Sequence, residues 1–358
     1  ALTVKSTDGA EKTIIDGVGS YIVIISHSDV TFEGFTVKNP EYTGGADASG
    51  ILVETVAESV NNVQILNNIV TQVRSETGTP STFGATGINI GNAPLSNVVV
   101  SGNTIENIKN PEGGASDHTC GINVWDGAEN VLISNNAISD IKYNGIMLEY
   151  ASNVRIENNA ITKCEVGIRV EPYEGVTVSD LTINYNNIVG NREYGVLNTM
   201  IDFIDATLNW WGDPGGPGAD EDGNSVYGDN VSANVNYDPW LPRPLPTISD
   251  ISVSGVTTTS ATITWTTALP ADSRVEYGPT IAYGLTSSIP DLTTSHSLGL
   301  TGLTPSTTYH FRVGSEDAYG HVDNSGDLTF ITAAPPPPAT LTVDTTPIKA
   351  NVYVDGSL

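Results

Sequence analysis

The chain has 358 residues, and its 14 basic against 41 acidic side chains give a formal charge of −27. That length exceeds one ordinary core and calls for two or more domains, while that charge argues against a nucleic-acid or anionic-membrane partner. No apolar stretch approaches membrane-spanning length, and two cysteines, Cys120 and Cys164, cannot build a disulfide framework.

The two thiols stand two repeats apart, which disfavours a bond between them. The first residue is not Met and no signal-type segment opens the chain, so a processed or trimmed product is expected.

Residues 1–243 are built on one phrase, clearest at Ser152-Asn153-Val154-Arg155-Ile156-Glu157-Asn158-Asn159-Ala160-Ile161. It returns from Asn62, Asn97 and Asn130, more loosely from Val30 to Val37 and from Leu181 to Ile188. Between the copies runs a second phrase beginning Gly-Ile or Gly-Val, at Gly50, Gly87, Gly121, Gly145, Gly167 and Gly195. Apolar residues alternate in both phrases, so each is a strand with one face turned inward. Self-similar short units that cannot bury their apolar faces alone must stack. With strands and no crossover helices, the stack is a parallel β-helix. The Asn residues suit the turns because Asn tolerates left-handed backbone and bonds locally. On successive coils they are expected to form an amide ladder.

The glycine spacings are 37, 34, 24, 22 and 28 residues. A bare coil therefore takes the shortest of these lengths. The excess of the early coils falls before the Gly-Ile strand, at 38–49, 74–86 and 109–120, which predicts three neighbouring loops over one edge, where function commonly sits.

The region closes with Leu208-Asn209-Trp210-Trp211-Gly212-Asp213-Pro214-Gly215-Gly216-Pro217 and then Val235-Asn236-Tyr237-Asp238-Pro239-Trp240-Leu241. These segments and the repeats resemble the right-handed parallel β-helix families that include NosD-like and pectate-lyase-like proteins. Trp210, Trp211 and Trp240 are expected to cover the last coil, whose apolar section and unpaired backbone need a cap. The resemblance implies an all-β architecture and relatives that act on polysaccharides from such a sheet face. It carries no Asp-Asp or Arg-rich catalytic signature onto these residues.

Leu241 to Pro246 reads as a stiff hinge. Residues 247–333 change to short Thr/Ser-rich strands, with Trp265 on one and Leu303-Thr304-Pro305-Ser306-Thr307-Thr308-Tyr309 ahead of another. That pattern resembles a fibronectin type III β-sandwich with its tyrosine corner, a module that implies spacing or adhesion. Residues 334–338 form a polyproline linker. Residues 339–358 are similar to the opening of a PEGA domain.

Outward positions on the Gly-Ile strands make two columns. One is Leu52, Asn89, Asn123, Met147 and Arg169; the other is Glu54, Gly91, Trp125, Glu149 and Glu171. Neighbouring coils lie about 4.8 Å apart, which puts Glu149 beside Glu171 with Arg169 alongside. Paired carboxylates can divide acid and nucleophile roles in glycoside hydrolysis, so Glu149 and Glu171 are the catalytic candidates if the chain is an enzyme. Trp125, Asp126, Tyr150, Arg169 and Tyr173 are the substrate-binding candidates. No resident cofactor is expected. Asp220-Glu221-Asp222-Gly223-Asn224 lacks full calcium-loop spacing and reads as a solvated loop, with Ca2+ the one ion left open. Two Met and five His give no soft cluster for copper. His118 and Cys120 share a loop, read as incidental placement rather than a thiol nucleophile with its base.

The favoured reading is an extracellular, cell-surface structural or adhesive protein. Its partners are copies of itself or other envelope proteins, and exposed sheet edges invite filament or surface-layer assembly. The alternative is a secreted polysaccharide hydrolase or lyase, or a glycan-binding protein using the same strand face.

Overall fold

The computed structural model describes residues 1–40, 47–56, 58–75, 84–92, 94–109, 118–218, 228–318 and 320–337. Every element among them is a strand, apart from turns and irregular links. Among the described residues no helix is long and apolar enough to cross a membrane. The strands from Leu2–Lys5 to Val235–Asn236 build a parallel β-helix of three sheets. The first carries the Asn-containing phrase, as in Leu95–Ser101, Ala128–Ser134 and Ala151–Glu157. A second holds short strands such as Thr104–Ile108, Ala137–Ile141 and Ala160–Thr162. The third is made of the Gly-Ile phrases: Ala48–Val53, Ala85–Ile90, Cys120–Val124, Asn144–Glu149, Val166–Glu171 and Tyr194–Asn198, preceded by Tyr21–Ile25.

Like residues stack on like. Val98, Val131, Val154 and Leu181 align on the first sheet, and Ile88, Ile122, Ile146, Ile168 and Val196 on the third. Their side chains share one buried core with Ile105, Ile138, Ile161 and Ile188 of the second sheet. Each such side chain contributes about 1.5–3 kcal/mol on leaving water. The glycine opening each third-sheet phrase is fixed by crowding at the corner. A Cβ at Gly121 would stand 2.5 Å from the carbonyl oxygen of Gly145, and one at Gly145 2.6 Å from that of Gly167.

The asparagines divide their work by position. The first of each pair takes the left-handed turn, with Asn67, Asn135 and Asn158 at φ of 54, 56 and 57°, and Gly102 in the same place at 70°. The second forms a buried ladder, Asn68–Asn103–Asn136–Asn159–Asn186–Asn209. Along it each backbone N and side-chain Nδ2 donates to the next Oδ1 at 2.8–3.1 Å. Asn at the strand start, as at Asn97, Asn130 and Asn153, is also left-handed.

At the far end Trp211 is wholly buried in the main core, and Trp240 packs on that core half-buried. Trp210 points the other way. It packs instead in a small separate cluster with Val189, Leu241 and Leu245. The segment read as a hinge is therefore docked: Leu245 N donates to Asn187 Oδ1 at 2.9 Å, and Asn187 Nδ2 returns a bond to Leu245 O at 3.2 Å.

An antiparallel unit follows. The long strand Ser260–Gly278 pairs with Ile248–Ser254 along its first part and with Thr308–Glu316 along its last, and with Leu285–Thr301 throughout. Trp265, Val275, Leu298, Phe311 and Phe330 form its core. Tyr309 Oη accepts a bond from Thr304 N at 3.0 Å, the tyrosine corner. The PEGA-like stretch, the acidic loop Asp220–Asn224 and most of the three long loops lie outside the described residues.

Candidate functional site

Register brings the two outward columns of the third sheet into place: Asn89, Asn123, Met147 and Arg169 are successive partners, and Glu149 is the partner of Glu171. Arg169 Nε donates to Glu171 Oε2 at 2.6 Å, across two residues of one strand.

The outward face is not a free groove. Leu52 and Met147 are buried, and Glu149 retains only 5 % of its exposure. Cys120 Sγ touches Met147 Sδ at 3.5 Å. Cys120 and Cys164 are both free and buried. Burial pushes the Cys164 thiol up to about 12, so neither cysteine offers an accessible nucleophile.

Trp125 lies on Gly91 of the preceding coil, where a Cβ would stand 2.0 Å from its Nε1. That Nε1 is buried with no hydrogen-bond partner among the described residues. Tyr173, two coils further on, meets the indole edge to face, with centroids 6.2 Å apart and planes at 83°. A tight turn holds Tyr173 there. Tyr173 and Val176 exchange backbone bonds of 3.0 and 2.9 Å around Glu174 and Gly175, both left-handed, the geometry of a type I′ turn. Asp126 and Tyr150 occupy left-handed positions in the intervening turns. Asp126 is half-buried and Tyr150 is 37 % exposed.

Two features escaped the sequence reading. His118, on the segment entering Cys120–Val124, reaches the carboxylate pair: one ligating atom each of His118, Glu149 and Glu171 lie within 4.8 Å of one another. The only signal was its place two residues ahead of Cys120. One coil beyond Tyr173, the turn after Tyr194–Asn198 holds Ile201 and Phe203, 91 % and 72 % exposed. Apolar residues in an otherwise polar turn were the signal there.

Chemically, two carboxylates on partnered positions of successive coils are a pair of the kind that glycoside hydrolysis uses. Here one is buried and the other is committed to Arg169, so neither meets solvent as an acid poised for a sugar. The turn row beside them, with Trp125, Tyr150, Tyr173, Ile201 and Phe203, offers apolar faces flanked by charge. That arrangement suits binding better than proton transfer.

Comparison with known proteins matches residues 20–209 to a model described as the right handed beta helix region, and residues 246–332 to the N-terminal domain of purple acid phosphatases. The second match falls where the sequence pointed to fibronectin type III. Endoglucanase B of Cellulomonas fimi is 36 % identical over 106 residues, 29 % of this chain and 10 % of that protein. The chain thus spans about a tenth of that relative's length. Among solved structures, the third fibronectin III domain of human KIAA0343 protein is similar over 27 % of this chain and 90 % of its own, at 20 % identity and a TM-score of 0.22. The enzymatically active domain of bacteriophage CBA120 tailspike protein 2 is similar over 88 % of this chain and 58 % of its own, at 11 % identity and a TM-score of 0.31.

Proposed function

We propose, from the premise that the chain belongs to the right handed beta helix family, that it is a glycan-binding adhesive protein of the cell surface. The observation that carries this is the edge-to-face pair of Trp125 and Tyr173 on the turn row beside Arg169 and Glu171. Sugar rings present apolar faces that stack on aromatics and hydroxyls that bond to fixed charges, and a rigid row of turns repeats such contacts along a polymer. Tyr150, Ile201 and Phe203 extend the row across neighbouring coils. The β-helix is the binding body. The sandwich, and the PEGA-like stretch after it, act as spacers that present it outside the cell. Similarity of a part of the chain to an endoglucanase supports a polysaccharide setting.

Cleavage by Glu149 and Glu171 is the second reading, favoured by their adjacency on successive coils. One experiment separates the two. The intact chain is run through affinity gels holding neutral and acidic polysaccharides, and the same polymers are assayed for released ends. Retardation on at least one polymer without release is expected, with Trp125→Ala and Tyr173→Ala each weakening it by up to about 10-fold. Absence of retardation on every polymer, or retardation unchanged in both variants, rejects glycan binding on this row. Release of ends that disappears in Glu149→Gln replaces it with the enzymatic reading.

A further inference from the structure

We propose that His118, Glu149 and Glu171 form a site for one divalent transition-metal ion, of which Zn2+ is the type. Their ligating atoms converge within 4.8 Å, the one such group of His, Cys, Asp or Glu among the described residues. Bonds of about 2.0–2.2 Å from imidazole nitrogen and carboxylate oxygen to zinc would bring those atoms to about 3.5 Å of one another. Small side-chain rotations make up the difference.

Three features build the site. Glu149 and Glu171 sit on neighbouring rungs of a parallel ladder, so their backbones cannot separate to relieve like charge. Arg169 offsets one of the two charges and holds Glu171 from one oxygen; a carboxylate has a second oxygen with which to take a cation. His118 enters from outside the ladder on a seated backbone, since a Cβ at Gly84 would stand 2.3 Å from the His118 carbonyl oxygen. Thr119, the next residue, is fully buried.

The donor set selects the ion. One imidazole with two carboxylates suits zinc or its neighbours. Calcium takes six to eight oxygens, which this trio does not supply. His118 is exposed, so solvent or an oxygen of a bound molecule can fill the open position on that side. The ion would tie the segment ahead of one coil to the strand ends of the next two. This inference does not depend on glycan binding.

The test is titration of the metal-freed intact chain with ZnCl2, CaCl2 and CoCl2, by calorimetry and by the visible d–d absorption of bound Co2+. One Zn2+ per chain is expected, bound at least about 100-fold more tightly than Ca2+. His118→Ala should weaken Zn2+ by more than about 100-fold, because even outer hydrogen-bond partners of metal ligands are worth about 10–100-fold. It should also abolish the Co2+ band while the circular dichroism stays that of the parent. Glu171→Gln should lower affinity in the same direction. Failure of the parent to bind Zn2+, or Zn2+ affinity in His118→Ala within threefold of the parent, overturns the site. So does Ca2+ binding as tight as Zn2+.

Discussion

Gly91 and Trp125 stand one coil apart, and the indole of Trp125 fills the volume that any side chain at Gly91 would need, with Nε1 2.0 Å from the position of a Cβ. The glycine is therefore part of the aromatic row although it has no side chain of its own.

Gly91→Val is expected to lift the indole off its seat, shift tryptophan emission to the red, and reduce polysaccharide retardation as much as Trp125→Ala does. Emission spectra and affinity gels on the same preparations check this. An unchanged spectrum would show that Trp125 finds another resting place.

Asn136 lies in the middle of the buried ladder. It accepts from Asn103 N and Nδ2, and donates to Val100 O and Asn159 Oδ1. Asn136→Leu leaves Asn103 N and Val100 O without those partners inside a dry core, where each orphan costs about 1–3 kcal/mol. A loss of about 3–5 kcal/mol is expected, read from the urea midpoint. Asn153→Gly, at an exposed left-handed position, is expected to change stability by less than about 1 kcal/mol.

Asp323 in the sandwich is 4 % exposed; its Oδ2 accepts from Ile248 N at 2.7 Å, and its Oδ1 has no partner among the described residues. Burial raises its pKa from 3.8 to about 7. Because the folded value is the higher, the folded state holds the proton more tightly than the unfolded chain. The group costs nothing below about pH 4, and stability then falls as pH rises toward 7. A shift of that size corresponds to about 4 kcal/mol lost above neutrality. Asp323→Asn is expected to raise the unfolding midpoint of the sandwich at pH 8 and leave it nearly unchanged at pH 4. Denaturation of both forms at the two pH values checks the sign.

Cys164 and Cys120 are expected to resist a thiol reagent at pH 8 in the folded chain and both to react in denaturant. Both are buried, and burial holds the Cys164 thiol as the unreactive protonated form. Rapid labelling of the native protein would contradict the packing around the third sheet.

Much of this was legible in the chain because a coil repeats its own environment. The inward alternation of Val154 and Ile156, or of Ile146 and Leu148, needed only the pleat of a strand. The partnership of Glu149 with Glu171 followed from counting residues after Gly145 and Gly167. Tyr309 lay at the corner position its preceding Leu-Thr-Pro indicated. Outward positions were harder to read, since alternation gives the direction of a side chain and not what covers it. Met147 and Glu149 point away from the core and are buried all the same. Trp210 and Trp211 are adjacent in sequence, yet one fills the core and the other holds the linker.

The sequence by itself determined the stack: its period, its turns, its ladder of amides and the side of the coil on which charge and aromatics gather. These follow from local rules applied identically in each coil. Only the tertiary structure decided that His118 reaches two carboxylates from later coils, that Tyr173 leans back to Trp125, and that Leu245 docks against Trp210. Each of those contacts depends on a segment outside the repeat. Such a segment has no periodic pattern to fix its path, and packing alone sets where its side chains come to rest.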